Sequence, residues 1–140
     1  MERIKYDMSL MKIMSLFETA TRCQLKDCFI DKNELLVFVV DEEHMSRAIG
    51  REASNVKRLE SLLNRKIKIL GYTPELVQFV KNVLYPIRVN GIREDEGILT
   101  IDGSDMRTKG LLIGKNAQNL KNNLWIIQRY FDNVKEIKVI

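Results

Sequence analysis

Ile49-Gly50-Arg51-Glu52-Ala53-Ser54-Asn55-Val56-Lys57 is a stretch that this chain writes twice. Sixty-four positions on, Ile113-Gly114-Lys115-Asn116-Ala117-Gln118-Asn119-Leu120-Lys121 repeats Ile, Gly, Ala, Asn and Lys in place, with Arg51 answered by Lys115 and Val56 by Leu120. The register continues without a gap, since Leu35 meets Leu99, Asp41 meets Asp105 and Arg65 meets Arg129. A unit duplicated within 140 residues predicts two small domains, 1–72 and 73–140. Domains of about 70 residues bury only about 60% of their unfolded surface, so the two are expected to share an interface.

Moving outward from the first copy, Gly50 stops a short helix that Asp41 is expected to cap, with Glu42 and Glu43 suiting its positive end. Beyond the turn, Ala53 or Ser54 opens a second helix with an apolar stripe of Val56, Leu59, Leu62 and Leu63. Lys66 to Leu70 alternates as a strand. Upstream, Leu35 to Val40 is continuously apolar, which predicts a central strand, and Cys23 to Ile30 pairs with it as a hairpin across Asp31–Glu34. A helix precedes these from Ile4 to about Thr21, with apolar rows at Ile4, Met8, Met11 and at Leu10, Ile13, Met14, Phe17. These apolar residues read as core packing against a sheet rather than a partner groove.

The second copy repeats the order. Thr73 is the expected cap of a helix running from Pro74 to about Leu84. Ile87–Ile92 and Gly97–Ile101 form a hairpin across the charged turn Arg93-Glu94-Asp95-Glu96. Asp105–Ile113 is the short helix, Ala117–Phe131 the longer one, and Glu136–Ile140 the last strand. Each unit thus reads helix, strand, strand, short helix, Gly turn, helix, strand, an α/β (α+β) class.

Hydrophobic residues make up 45% of the chain and charged ones 30%, a globular and not a disordered composition. The net charge is +4, divided evenly: 13 Lys/Arg against 11 Asp/Glu up to Tyr72, and 10 against 8 after it. An anionic partner therefore has to be met by local placement of charge, not by a basic tail. No apolar run reaches the roughly 20 residues of a membrane span, and the charged opening Met1-Glu2-Arg3-Ile4-Lys5-Tyr6-Asp7 lacks a signal-peptide core, so a cytoplasmic protein is expected. Cys23, Cys28 and the single His44 are too few for a four-ligand zinc site, which makes free, buried thiols the expectation.

The repeated turn has a chemical use. A glycine at a helix stop lets another backbone come close, and the N–H groups opening the next helix carry positive partial charge. That combination cradles phosphate. Arg51 and Lys115 extend from the turn, and Lys57 and Lys121 sit about one helical turn in.

A strand, a helix, a Gly-x-x-Gly-like turn, a helix and a strand resemble the KH RNA-binding unit, and the additional helix and strand before them resemble its bacterial-type (type II) variant. The Ile-Gly-x-x-Ala-x-Asn-Val/Leu-Lys wording, in units this close together, is similar to the KH pair of the NusA transcription factors, above all their short archaeal form. The polymerase-binding region and OB-type domain of longer bacterial relatives have no counterpart expected here.

The resemblance implies two tandem type II KH domains, each a three-stranded mixed sheet with three helices on one face. It also implies single-stranded RNA clamped at about four nucleotides per unit, and a setting in transcription elongation or termination alongside RNA polymerase or other transcription proteins. On that basis Gly50, Arg51, Ala53 and Lys57, with Gly114, Lys115, Asn116, Ala117 and Lys121, are the RNA-binding candidates. Ile113 with Leu120, and Ile49 with Val56, would form platforms under the bases.

The second Gly of the motif is Ala in both copies, where a methyl either hinders the backbone approach or makes a better helix start. Glu52 opposes Arg51 in the first turn, so the second turn is expected to bind RNA better. Arg47, Arg107 and Lys109 line the groove or a solvated face, and Trp125, Tyr130 and Phe131 read as core, with Tyr130 the most exposed. Two other readings stay open: a protein-docking module with degenerate turns, and a ribosome-assembly or RNA-processing adaptor. Nothing supports catalysis, a cofactor, a membrane or a small-molecule substrate. The acidic runs Asp41-Glu42-Glu43 and Glu94-Asp95-Glu96 are explained by capping and solubility without Mg²⁺.

Overall fold

Leu36, Val37, Phe38, Val39 and Val40 are all buried in the computed structural model, which describes residues 8–140. They form β2 (Leu36–Asp41), the centre of a three-stranded sheet in the order β1-β2-β3. β1 (Asp27–Ile30) runs antiparallel to β2, and β3 (Ile67–Tyr72) runs parallel to it. Leu36, Phe38 and Val40 join Ile67, Ile69 and Cys28 in the core cluster with helix residues, while Phe29, Val37, Val39 and Leu70 on the opposite face are buried as well. Burial of both faces is why this stretch reads as a continuous apolar run instead of an alternating one.

Three helices accompany this sheet: α1 (Met8–Thr21), α2 (Met45–Ile49) and α3 (Ser54–Leu63). Of the two apolar rows expected on the first helix, Leu10, Ile13, Met14 and Phe17 face the core, and Phe17 stacks on Phe38 with ring centroids 4.4 Å apart. Met11 is exposed, and the expected first turn from Ile4 lies outside the described residues. Leu62 is exposed too, so the stripe of α3 narrows to Val56, Leu59 and Leu63.

β1 starts at Asp27, not at Cys23. The intervening amides are spent locally, Cys23 N–H donating to Thr21 Oγ1 and Leu25 N–H to Glu18 Oε2. Asp41 does not cap the next helix; its carboxylate pairs with Lys26 Nζ at 3.2 Å, and the chain passes through a 3-10 turn, Glu42–His44, before α2. Cys23 and Cys28 are free and buried, as expected.

The chain divides into two units, the second spanning Thr73–Ile140. It holds α4 (Leu76–Leu84), β4 (Gly91–Asp95), β5 (Ile98–Asp102), α5 (Met106–Ile113), α6 (Gln118–Tyr130) and β6 (Glu136–Val139). Its sheet runs β4-β5-β6, antiparallel then parallel, so each unit has the mixed three-stranded α/β architecture that the sequence implied. Here β5 alternates: Leu99 and Ile101 are buried between half-buried Ile98, Thr100 and Asp102.

The α4 cap is Glu75, whose side chain accepts from Gln78 N–H, and not Thr73. The hairpin is displaced as well: Arg93, Glu94 and Asp95 belong to strand β4, and the turn is Glu96-Gly97, both at positive φ. A two-residue loop with that geometry matches strand twist, which favours it over the four-residue charged turn that composition suggests. Tyr130 packs edge-to-face on Phe79 at 5.4 Å and Phe131 lies 5.2 Å from the same ring, and both residues are half-buried.

Candidate nucleic-acid interface

Both copies of the repeated stretch fold the same way. Gly50 (φ 82, ψ 165) ends α2 and Gly114 (φ 73, ψ 174) ends α5, conformations open essentially to glycine alone. Two left-handed residues follow after one more step: Glu52 (φ 55, ψ 34) and Ala53 (φ 59, ψ 30), matched by Asn116 (φ 56, ψ 32) and Ala117 (φ 59, ψ 24). Ala53 N–H donates to the Gly50 carbonyl and Ala117 N–H to the Gly114 carbonyl. No side chain caps the start of α3 or α6, because the N-cap residues are alanines. The positive end of each helix dipole is therefore presented at the turn.

The role of the glycine differs from the expectation. A Cβ on Gly114 would lie 2.7 Å from Asn119 Cγ, and one on Gly50 would lie 2.7 Å from Ser54 Oγ and 3.1 Å from Asn55 Cγ. The space that a side chain on the glycine would need is thus filled by the turn itself. Asn119 Nδ2 donates to the Leu111 carbonyl at 2.9 Å, and Asn55 Nδ2 donates to the Arg47 carbonyl at 3.2 Å. Sequence reading passed over these two asparagines as site residues, although their recurrence at the same place in both copies was a signal. Ala53 and Ala117 are likewise not better helix starts; they are held left-handed, a conformation that L-residues other than Gly, Asn and Asp seldom adopt.

Arg51, Lys57, Lys115, Asn116 and Lys121 are exposed, while Gly50, Ala53, Gly114 and Ala117 are half-buried beneath them. The ion pairs Lys26–Asp41, Glu43–His44 and Glu60–Lys66 take up no cation of either turn. Ile113 is 38% exposed beside the second turn, whereas Ile49 and Val56 lean into the first unit's core cluster. Leu111 and Met106 extend the exposed apolar surface of α5.

Arg107 is exposed and Lys109 half-buried. Arg47 is tied down: its Nε donates to Cys23 Sγ at 3.4 Å and its Nη2 to the Arg22 carbonyl. Asp41, Glu43 and His44 bring ligand atoms within 4.8 Å of one another, but Asp41 is already paired with Lys26.

The sequence profile of a family described as KH domain matches residues 12–93, more than half of the chain. The chain is 30% identical to the probable transcription termination protein NusA of Methanococcus vannielii over 99% of its own length and 80% of the relative's. It is 27% identical to the protein of the same name from Thermoplasma acidophilum, with 99% and 97% covered. Among solved structures, the crystal structure of APE1850 matches with a TM-score of 0.68 at 27% identity, covering 93% of this chain and 96% of that one.

Proposed function

The chain belongs to the KH-domain family, and from that premise we propose that it is a non-catalytic single-stranded RNA-binding protein acting in transcription elongation or termination, both units contributing a KH-type clamp. The observation that carries this is the shared turn geometry, an uncapped helix start flanked by unpaired, exposed cations, built twice with backbone angles agreeing within about ten degrees. Phosphates would pass over Gly50–Ala53 and Gly114–Ala117, with Arg51, Lys57, Lys115 and Lys121 as counter-charges. The second turn is the stronger clamp, because it offers neutral Asn116 where the first offers Glu52. Ile113, exposed next to it, supplies an apolar surface for a base.

The test is titration of labelled single-stranded RNA of about a dozen nucleotides at two salt concentrations. Replacing either turn glycine would distort the backbone, so the useful variants are the exposed ones, Lys115→Glu with Lys121→Glu against Arg51→Glu with Lys57→Glu. Each single-strand phosphate contact contributes about −0.7 to the slope of log affinity against log salt. A salt-dependent affinity that falls most with the second-turn pair is expected. Binding that is absent from the folded protein, or indifferent to both pairs, sinks the reading.

The exposure of Met106 and Leu111 favours one second reading, a protein partner in the transcription machinery docking on α5. Salt-insensitive capture by such a partner without RNA binding would select it.

A further inference from the structure

We infer that Asn119, and Asn55 in the first unit, are positioning residues that fix the arc of the turn and so aim its cation and helix start at the RNA backbone. This rests on the reading of the turns as RNA contacts and adds to it which residues set their shape.

Each short helix leaves its last carbonyls without an intrahelical partner. In α5 one of these, on Leu111, accepts from Asn119 Nδ2 at 2.9 Å; in α2 the corresponding carbonyl, on Arg47, accepts from Asn55 Nδ2 at 3.2 Å. The asparagine thereby fastens the first turn of the following helix to the last turn of the preceding one. Its carboxamide lies where a side chain on the glycine would be, since a Cβ on Gly114 would meet Asn119 Cγ at 2.7 Å and Nδ2 at 2.8 Å. Glycine and asparagine, five positions apart, therefore act as one fitting.

The four residues between them, Lys115 to Gln118, include the two consecutive left-handed ones. Such an arc relaxes unless its ends are held. The pattern of repetition agrees. The half-buried residues of the turn, Gly, Ala and Asn, are the same in both copies, whereas two exposed ones within its arc differ: Arg51 against Lys115 and Glu52 against Asn116. The inward set fixes the shape, and the outward set fixes what the shape meets.

The experiment compares the unmodified protein with Asn119→Leu, which keeps the branched outline and adds no charge but cannot donate, and with Asn119→Ala, which cannot fail by overpacking. Three properties are read: RNA affinity with its salt slope, a double-mutant cycle with Lys115→Ala, and amide exchange at Ala117 and Gln118. We expect about a tenfold loss of affinity in a folded protein, of the size that one net hydrogen bond supplies, with a salt slope shallower by about one contact. Lys115→Ala should then add little in the Asn119→Leu background, because the lysine has already lost its aim, and the two amides should exchange faster. Unchanged affinity and slope, or effects of Asn119→Leu and Lys115→Ala that simply multiply, would overturn the inference. If the unmodified protein binds no RNA, the preceding proposal fails, and amide exchange alone still decides whether Asn119 holds the turn.

Discussion

Position 117 carries an alanine at φ 59 and position 114 a glycine at φ 73, and the two respond oppositely to exchange. A left-handed alanine is disfavoured by roughly 1–2 kcal/mol against its right-handed form, and glycine removes that strain while adding freedom to the unfolded chain. Ala117→Gly should therefore stabilise the protein by about 0.5–1 kcal/mol in urea unfolding. Gly114→Ala should destabilise it by about 2–4 kcal/mol, from backbone strain plus the contact with Asn119. A neutral Gly114→Ala would contradict the turn described here. The sequence made the glycine legible, because it stands at a helix stop in both copies. It did not reveal that the vacated space is filled by the asparagine, since two side chains five positions apart meet only once the turn is built.

Among the elements, the equivalent aspartates that precede the two short helices have different duties. Asp105 accepts from Thr108 N–H at 2.7 Å, and this backbone hydrogen bond is the main reason its carboxyl is held below the usual 3.8. A carboxylate depressed on folding contributes stability above its unfolded pKa, and that contribution is lost as pH falls through the lower folded value. Asp105→Ala should thus lower the melting temperature at neutral pH, by a difference that closes below about pH 3.8. Asp41→Ala should show no such capping loss, its partner being Lys26.

On β3, Lys68 is pushed below the usual 10.5, chiefly by desolvation and partly restored by Asp31. Such a lysine sheds its proton in the folded state before the unfolded state does, so stability rises with pH between the lowered value and 10.5. The gain in stability from Lys68→Met, measured by denaturant unfolding, should be largest near neutrality and shrink through that window; a gain that does not vary with pH would refute it. Strand identity was legible from the apolar runs, but the edges were not. Cys23–Lys26 and Arg93–Asp95 look extended and loop-like in sequence, and their actual states depend on Glu18, Thr21 and the strand partner β5.

At the scale of the whole molecule, two clamps on one chain would bind a longer RNA through effective concentration, each holding about four nucleotides. An oligonucleotide of about twelve nucleotides should bind at least tenfold more tightly than one of five, and second-turn charge reversal should erase most of that advantage; equal affinity for both lengths would mean a single working clamp. The sequence by itself determined the duplication, the order of elements, the central strand and the two turns, because these rest on local periodicity, glycine placement and the sixty-four-residue register. Only the tertiary structure decided the hairpin register, which aspartate caps, where Tyr130 packs and which side chain reaches the last turn of each short helix. Those depend on which hydrogen-bond and packing partners fold back from distant positions, and a linear pattern states the preference of each residue without stating the partner that overrides it.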